Sequence, residues 1–210
     1  MHLGTTIGDR CDSINKKKAV DDLYLSTNSM MSKFSFCSTD VRCTLFNSFC
    51  TSFYGSVLWN LQDIDAIETA WKKCIKKIWK LNTLTRSKYV NCLMKSPFQE
   101  MLFIRFINFF SNCYNSDNDI TSHVAKQCIL GSSSIKRNVL YCAQLISMPP
   151  SYVADNVCLI KDELHEFFQA DNETLTLVEV LKEICLVRDG ISAWDLGNDI
   201  VEPMLDFFTI

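Results

Sequence analysis

Proline and glycine are scarce in this sequence. The 210 residues include four prolines and six glycines, the residues on which tight turns depend most. An all-β fold with many short strands needs more turns than these residues can supply. Hydrophobic residues make up 48% of the chain, and its length is sufficient for one domain or two small ones with a sizeable core. The sequence therefore predicts an all-α protein.

Long apolar segments are also missing. The longest apolar run, Met101–Phe110, is interrupted by Arg105 and Asn108 and is too short to cross a bilayer. The amino-terminal residues, MHLGTTIGDR, lack the apolar segment of a signal peptide. We therefore expect no membrane partner and an intracellular location, in the cytoplasm or the nucleus.

Cysteines are numerous, but their spacing is not that of a metal site. The chain has eleven cysteines, an odd number, and no C-x-x-C motif. His123 with Cys128 and Cys158 with His165 are isolated pairs without the clustered spacing of a zinc module. Several cysteines fall on apolar helical faces, where a free thiol behaves as a small hydrophobic group. We interpret them as reduced cysteines and expect no metal and no cofactor.

The stretch Phe34–Trp59 combines helix-start signals with a wide apolar face. Ser38 is a suitable N-cap, and Asp40 in the first turn suits the positive end of the helix dipole. Gly55 costs about 1 kcal/mol in a helix interior, so we expect it at the helix end or at a close contact. We predict one buried central helix, whose apolar positions are Val41, Leu45, Phe49, Phe53 and Val57, with Phe46, Cys50, Tyr54 and Leu58 beside them.

Helical periodicity and capping signals predict further helices along the chain. The predicted linker is Met148-Pro149-Pro150. Before the central helix we predict a helix at Ile14–Phe36, whose candidate core residues are Leu23, Met30, Met31 and Phe34. After it, the predicted segments are Ile64–Leu81, Arg86–Lys95, Pro97–Tyr114, a helix ending near Leu130, Ile135–Ser147 as helix or strand, Cys158–Gln169, Glu173–Arg188 and a short terminal segment, Asp199–Phe208.

The predicted helix Ile64–Leu81 is the clearest amphipathic segment. Its apolar side has positions 64, 67, 71, 74, 75 and 78, and Trp79 lies among the lysines of the other side. Residues 72–105 hold nine Lys or Arg against Glu100 alone, a local charge of +8. Residues 155–210 hold thirteen Asp or Glu against three basic residues, a local charge of −10. The candidate nucleic-acid-binding residues are Lys72, Lys73, Lys76, Lys77, Lys80, Arg86 and Lys88.

Three interpretations of this basic segment are open. Lysines on one face can follow a phosphate backbone and bind it without sequence preference. Most charge runs are simply a solvated helix face. A basic amphipathic helix with Trp71 and Trp79 also suits an acidic protein or a membrane surface, which makes a non-enzymatic interaction module the alternative function. The acidic C-terminal region is expected to face away from nucleic acid or to cover the basic face when none is bound.

The central stretch also carries a family pattern, at Phe34, Cys37, Ser38, Asp40, Val41, Leu45, Phe46, Cys50, Tyr54, Leu58 and Trp59. In these positions it resembles the thumb region of reverse transcriptases from non-LTR retrotransposons. His2-Leu3-Gly4 is similar to the Tyr-Leu-Gly that opens this region in the family, with His in place of the aromatic residue. Weaker similarity continues through Trp71–Leu81, Pro97, Arg105, Phe109 and Val187-Arg188-Asp189.

The resemblance implies a C-terminal piece of an RNA-directed DNA polymerase. It implies a helical thumb at residues 1–62, a basic helical connector at 63–148 and an acidic helical region at 149–210. Such a piece grips and positions primer–template nucleic acid in cis with a palm domain that this sequence does not contain. Met1 would then lie inside a longer reading frame.

No catalytic constellation is predicted. Polymerases of this family hold two metal ions with an aromatic-x-Asp-Asp turn, but Ala19 occupies the aromatic position before Asp21-Asp22. The flanking residues also indicate a helix, on which adjacent side chains point apart. The chain has no G-x-S-x-G motif and no phosphate loop, and a Cys–His nucleophilic pair is neither favoured nor excluded. We therefore expect no enzymatic activity from this chain alone.

Overall fold

The computed structural model of the chain describes residues 11–91, 93–94, 97–149 and 156–173. Across these ranges the regular backbone is helical and contains no strand, which confirms the all-α prediction. The first ten residues, most of the predicted helix Glu173–Arg188 and the whole segment Asp199–Phe208 lie outside the described residues.

The helices follow the predicted order, with shorter bounds in several places. In chain order they are α1 (Cys11–Lys33), α2 (Thr39–Leu45), a π-helix (Phe46–Cys50), a 3₁₀ turn (Ser56–Leu58), α3 (Asp65–Ile78), α4 (Ser87–Asn91), α5 (Phe98–Tyr114), α6 (Asp119–Leu130), α7 (Ser134–Leu145) and α8 (Val157–Glu173). The segment predicted as helix or strand at Ile135–Ser147 is helical. Pro97, predicted as the first residue of its helix, directly precedes α5, since proline has no N–H to donate within a helix but fits its start.

Contacts divide the chain into two compact units, each made of separate stretches. Among the described residues, unit 1 contains 11–16, 54–65, 98–149 and 156–171, and unit 2 contains 17–53, 66–97 with the gaps given above, and 172–173. Both units therefore draw on residues from more than one of the consecutive segments 1–62, 63–148 and 149–210.

Unit 1 is built around α5, the most apolar helix. Its buried side chains include Leu102, Phe106 and Phe110. Phe103 packs its ring against Tyr141 of α7 and Phe168 of α8, with ring centroids 5.5 and 5.6 Å apart. Aromatic contacts of this kind add about 0.5–1.5 kcal/mol each beyond the area that they bury.

Buried polar side chains hold the 59–63 loop of unit 1 in place. The amide of Asn138 on α7 donates to the carbonyl oxygen of Trp59 at 2.7 Å and accepts from the backbone N–H of Leu61 at 3.0 Å. Lys16 of α1 pairs with Asp12 at 2.7 Å and with Asp63 at 3.2 Å. The two bonds of Asn138 satisfy backbone groups of the buried residues Trp59 and Leu61 that would otherwise be left unpaired.

Unit 2 has its core between α1, α3 and the Phe46–Cys50 π-helix. Leu23 and Met30 of α1 are buried, as predicted. Phe46 is fully buried and its ring lies 6.5 Å from that of Trp71 on α3. Phe34, predicted as a core residue, is instead exposed, because α1 ends at Lys33 before reaching it.

The prediction of one continuous central helix is wrong. Ser38 does cap α2, accepting from the N–H of Val41 at 3.5 Å, but regular structure stops at Cys50. The hydroxyl of Thr51 donates to the carbonyl oxygen of Asn47 at 2.8 Å, a local bond that competes with helix continuation. Phe53 then has φ 37° and Gly55 φ 78°, a left-handed backbone that no helix can contain.

The buried face of this segment is also displaced by one residue from the prediction. Positions 42, 46 and 50 face the core, whereas Val41 and Phe49 are exposed, by 46% and 71%. Phe46 and Phe53 are buried, as predicted. The inward row therefore begins with a charged residue, Arg42, which is only 5% exposed.

Candidate nucleic-acid interface

Helix α3 presents the predicted basic surface of unit 2. Its apolar side, which includes Ile67, Ile75 and Ile78, is buried, so its lysines are left on the outer side. The helix ends with Lys80 in the left-handed conformation, φ 53°. The N–H of Leu81 donates to the carbonyl oxygen of Lys76 at 2.8 Å, the bond that closes a Schellman-type helix end.

Two of the predicted lysines serve the fold itself. Lys72 is half-buried and pairs with Glu68, one turn earlier, at 2.6 Å. Lys76 is half-buried and donates to the carbonyl oxygen of Thr83 at 3.0 Å and to that of Thr85. Lys72 and Lys76 lie four residues apart on one row of the helix, which we call the inner lysine row.

The other three lysines of α3 and its end form the exposed lysine row, Lys73, Lys77 and Lys80. Lys73 and Lys77 lie four residues apart on one face of α3, Lys80 follows the end of the helix, and all three are exposed. Lys77 contacts the side-chain oxygen of Asn28 on α1 at 2.5 Å. No ion pair joins Lys73 or Lys80 to another residue within the described ranges. This row is the part of the predicted site that is open to a ligand.

The two basic residues after α3 lie in the next segment. Arg86 is exposed directly before α4, and Lys88 belongs to α4. Lys76 holds the loop that leads to them, because it binds the carbonyl oxygens of Thr83 and Thr85. The inner lysine row therefore helps to place Arg86 near the end of α3.

Burial and neighbouring positive charges both act on Lys76 of α3. Desolvation by burial lowers the pKa of Lys76, and the positive charges of Lys72 and Lys73 lower it further. Clustered ammonium groups repel one another, and a bound polyanion relieves that repulsion. The surface is thus suited to phosphate groups.

Trp79 does not lie on the basic surface, and the expectation that it would is wrong. Trp71 and Trp79 are only 2% and 3% exposed. The indole N–H of Trp79 interacts with the thiol of Cys43 without forming a well-aligned hydrogen bond. A protein groove or a membrane surface would therefore meet lysines without aromatic anchors.

The pairs of candidate residues for catalysis and metal binding lie on different helices. Asp21 and Asp22 are exposed in the interior of α1, which confirms that they lie on a helix. His165 contacts the buried carboxylate of Glu100, with Nδ1 2.6 Å from Oε1. Within the described part of the chain, no three His, Cys, Asp or Glu residues come together as a metal site would require. His123 lies on the exposed surface of α6.

Sequence reasoning missed Arg42. Its Nη2 donates to the hydroxyl of Thr39 at 3.0 Å, but its Nε and Nη1 are buried without an acceptor. The signal was available in part, since Arg42 precedes Phe46 by one helical turn and Cys50 by two. Because arginine is mostly solvated in folded proteins, its place in this row is a weak signal for burial.

Comparisons with known proteins do not assign a family. No protein-family model, no curated protein and no solved structure matches this chain significantly. The class of the protein is defined by its fold alone: it is an all-α protein with a basic surface on unit 2. None of the helices within the described ranges is long and apolar enough to cross a membrane.

Proposed function

We propose that unit 2 binds nucleic acid through the exposed lysine row, as a non-catalytic, thumb-like piece of an RNA-directed DNA polymerase. The ligand is the phosphate backbone of a primer–template duplex, which the piece grips and positions in cis with a palm domain. The observation that carries the proposal is the separation of the lysines of α3 into two rows. Lys72 and Lys76 are engaged by the fold, whereas Lys73, Lys77 and Lys80 remain exposed.

The spacing of the exposed row supports a backbone ligand. Successive residues of a helix rise 1.5 Å along its axis, so Lys73 and Lys77 are about 6 Å apart along α3, and Lys80 continues the exposed lysine row just past the end of the helix. Three ammonium groups on such a line can each approach a different phosphate. Point-charge contacts of this kind supply affinity without reading bases.

The burial of both tryptophans on α3 disfavours the alternative interaction module. Helices that bind in protein grooves or at membrane surfaces insert an apolar face with large anchors. On α3 that face is already used by the core of unit 2, with Trp71 among its fully buried side chains. A purely electrostatic ligand fits the remaining surface better.

A salt series tests the proposal. Each neutralised phosphate contributes about −0.9 to the slope of log K against log salt for a duplex, so the three exposed lysines predict a slope of about −3. Replacing Lys73 and Lys77 with Gln should flatten the slope by about two and weaken all sequences alike. Gln has nearly the helix propensity of Lys, so the fold should be retained.

The matched control removes two charges elsewhere. Lys17 on α1 and Arg137 on α7 are exposed, and their replacement with Gln changes the net charge by the same amount. Binding of the control variant should keep the parent slope. A Lys73→Gln/Lys77→Gln variant that binds duplex as tightly as the parent at every salt concentration would contradict the proposal.

A further inference from the structure

Arg42 is a buried cation without a counter-ion. The residue is 5% exposed, and its Nε and Nη1 have no acceptor among the described residues. Its Nη2 donates to the neutral hydroxyl of Thr39 at 3.0 Å. A guanidinium carries five N–H donors and stays protonated in proteins, so most of its donors and all of its charge are uncompensated.

Among the described residues, the groups near Arg42 do not supply the missing negative charge. Asp40, two residues earlier, is exposed and forms no ion pair with Arg42. Burial, together with the charge of Asp40, raises the pKa of the Cys43 thiol to about 12, so that thiol is neutral at physiological pH. Buried ions in folded proteins are paired as a rule, and an unsatisfied buried group calls for an ion or ligand.

One edge of the guanidinium, at Nη2, lies next to a residue that solvent reaches. Its hydrogen-bond partner Thr39 is half-exposed, and the neighbouring Val41 is 46% exposed. A small oxyanion that reaches the hydroxyl of Thr39 can therefore meet Arg42 if the guanidinium turns towards it. A planar guanidinium binds phosphate through two parallel hydrogen bonds, which an ammonium group cannot do.

The position of Arg42 in unit 2 connects it to the basic surface. Cys43, the next residue, faces the indole of Trp79, and Trp79 directly precedes Lys80. We propose that Arg42 and Thr39 form a site for one phosphate group, which takes a backbone or terminal phosphate of nucleic acid that lies along the exposed lysine row. The nucleic-acid part rests on the proposed function, whereas the phosphate site itself does not.

Inorganic phosphate tests the site without nucleic acid. At constant pH and ionic strength, the full chain should show a saturable rise in melting temperature in phosphate relative to chloride. An Arg42→Met variant should melt at least as high as the parent in chloride, because an unpaired buried charge has been removed. It should also lose the response to phosphate. Arg137→Met, at an exposed site on α7, should respond as the parent does.

Two results would overturn the site. A parent protein that shows no saturable response to phosphate has no such site, whatever the variants do. An Arg42→Met variant that melts below the parent in chloride, with an equal response of both to phosphate, means that Arg42 pairs with a carboxylate of this chain. If the Met variant does not fold, Arg42→Lys keeps the charge and should bind phosphate more than tenfold more weakly.

Binding of duplex nucleic acid distinguishes the phosphate site at Arg42 from the proposed function of the exposed lysine row. With duplex, Arg42→Lys should weaken binding about tenfold. If phosphate binds at Arg42 but the Lys73→Gln/Lys77→Gln variant retains full duplex affinity, the site stands and the proposed function falls. If the lysine variant weakens duplex binding while Arg42→Lys leaves both phosphate and duplex binding unchanged, the proposed function stands and the site falls.

Discussion

Replacing Lys80 with Gly should raise stability and lower nucleic-acid affinity together. Lys80 has φ 53° at the end of α3, a conformation that costs an L-residue about 1–2 kcal/mol and glycine almost nothing. Glycine is the usual residue at this position of a helix end. Retaining a lysine there sacrifices stability, as residues at functional sites often do.

The expected change in the free energy of unfolding of Lys80→Gly is the difference between two opposing effects. Relief of the left-handed backbone gains about 1–2 kcal/mol, and the greater freedom of glycine in the unfolded chain takes back about 0.5–1 kcal/mol. We expect a net gain of about 0.5–1 kcal/mol, which raises a urea midpoint by about 0.3–0.5 M at an ordinary m-value. Trp71 and Trp79, buried in the same unit, report the transition by fluorescence.

The same substitution should weaken the binding of nucleic acid. Loss of one ammonium group from the exposed lysine row should reduce the salt slope by about one. Lys80→Ala is the control, because it removes the charge and keeps a side chain in the left-handed backbone. It should bind like the Gly variant and gain no stability. A Gly variant less stable than the parent, or one with unchanged affinity, would refute the reasoning.

Three further predictions concern the core, the thiols and catalysis. Phe46→Ala should cost about 3–5 kcal/mol because Phe46 is fully buried, whereas Phe49→Ala, at a 71% exposed site, should stay within about 0.5 kcal/mol in the same denaturant titration. Burial raises the pKa of Cys142 to about 12, so this thiol ionises more readily when unfolded. Stability should fall as pH rises from about 9 towards 12, and less steeply in Cys142→Ala; equal slopes would contradict this. The chain with primed RNA, dNTPs and magnesium should extend no primer; extension abolished by Asp21→Asn with Asp22→Asn would contradict that expectation.

The sequence predicted best those helices that begin or end at strong local signals. The start of α5 differs from the prediction by one residue, because Pro97 fixes it. Helix α6 ends at Leu130, as predicted, and Asn118 caps its start, accepting from the N–H groups of Ile120 and Thr121. The lysine cluster on α3 was also predicted from the sequence. Local capping and periodicity are properties of neighbouring residues, which the sequence contains directly.

The failures arise where tertiary contacts decide between adjacent faces. Helical periodicity alone does not distinguish the row of side chains that begins at Val41 from the row that begins at Arg42. The charge of Arg42 argues against burial of the second row. The hydrogen bond from Thr51 to Asn47, which accompanies the helix end, also lacks a strong sequence signal. Similarly, the inner and exposed lysine rows are distinguished by the carbonyl oxygens of Thr83 and Thr85, which reach Lys76 only in the fold.

A comparison of the two lysine rows tests the central claim most directly. Lys72→Gln/Lys76→Gln and Lys73→Gln/Lys77→Gln remove the same charge from the same helix. The exposed-row variant should lose about two units of salt slope on duplex and lose little stability, because the contact that it breaks within the described ranges is that of Lys77 with Asn28. The inner-row variant should lose stability, because it breaks the contacts with Glu68 and with the 83–85 loop, and should change the slope less. Equal slopes for both variants, or a larger loss from the inner row, would contradict the account.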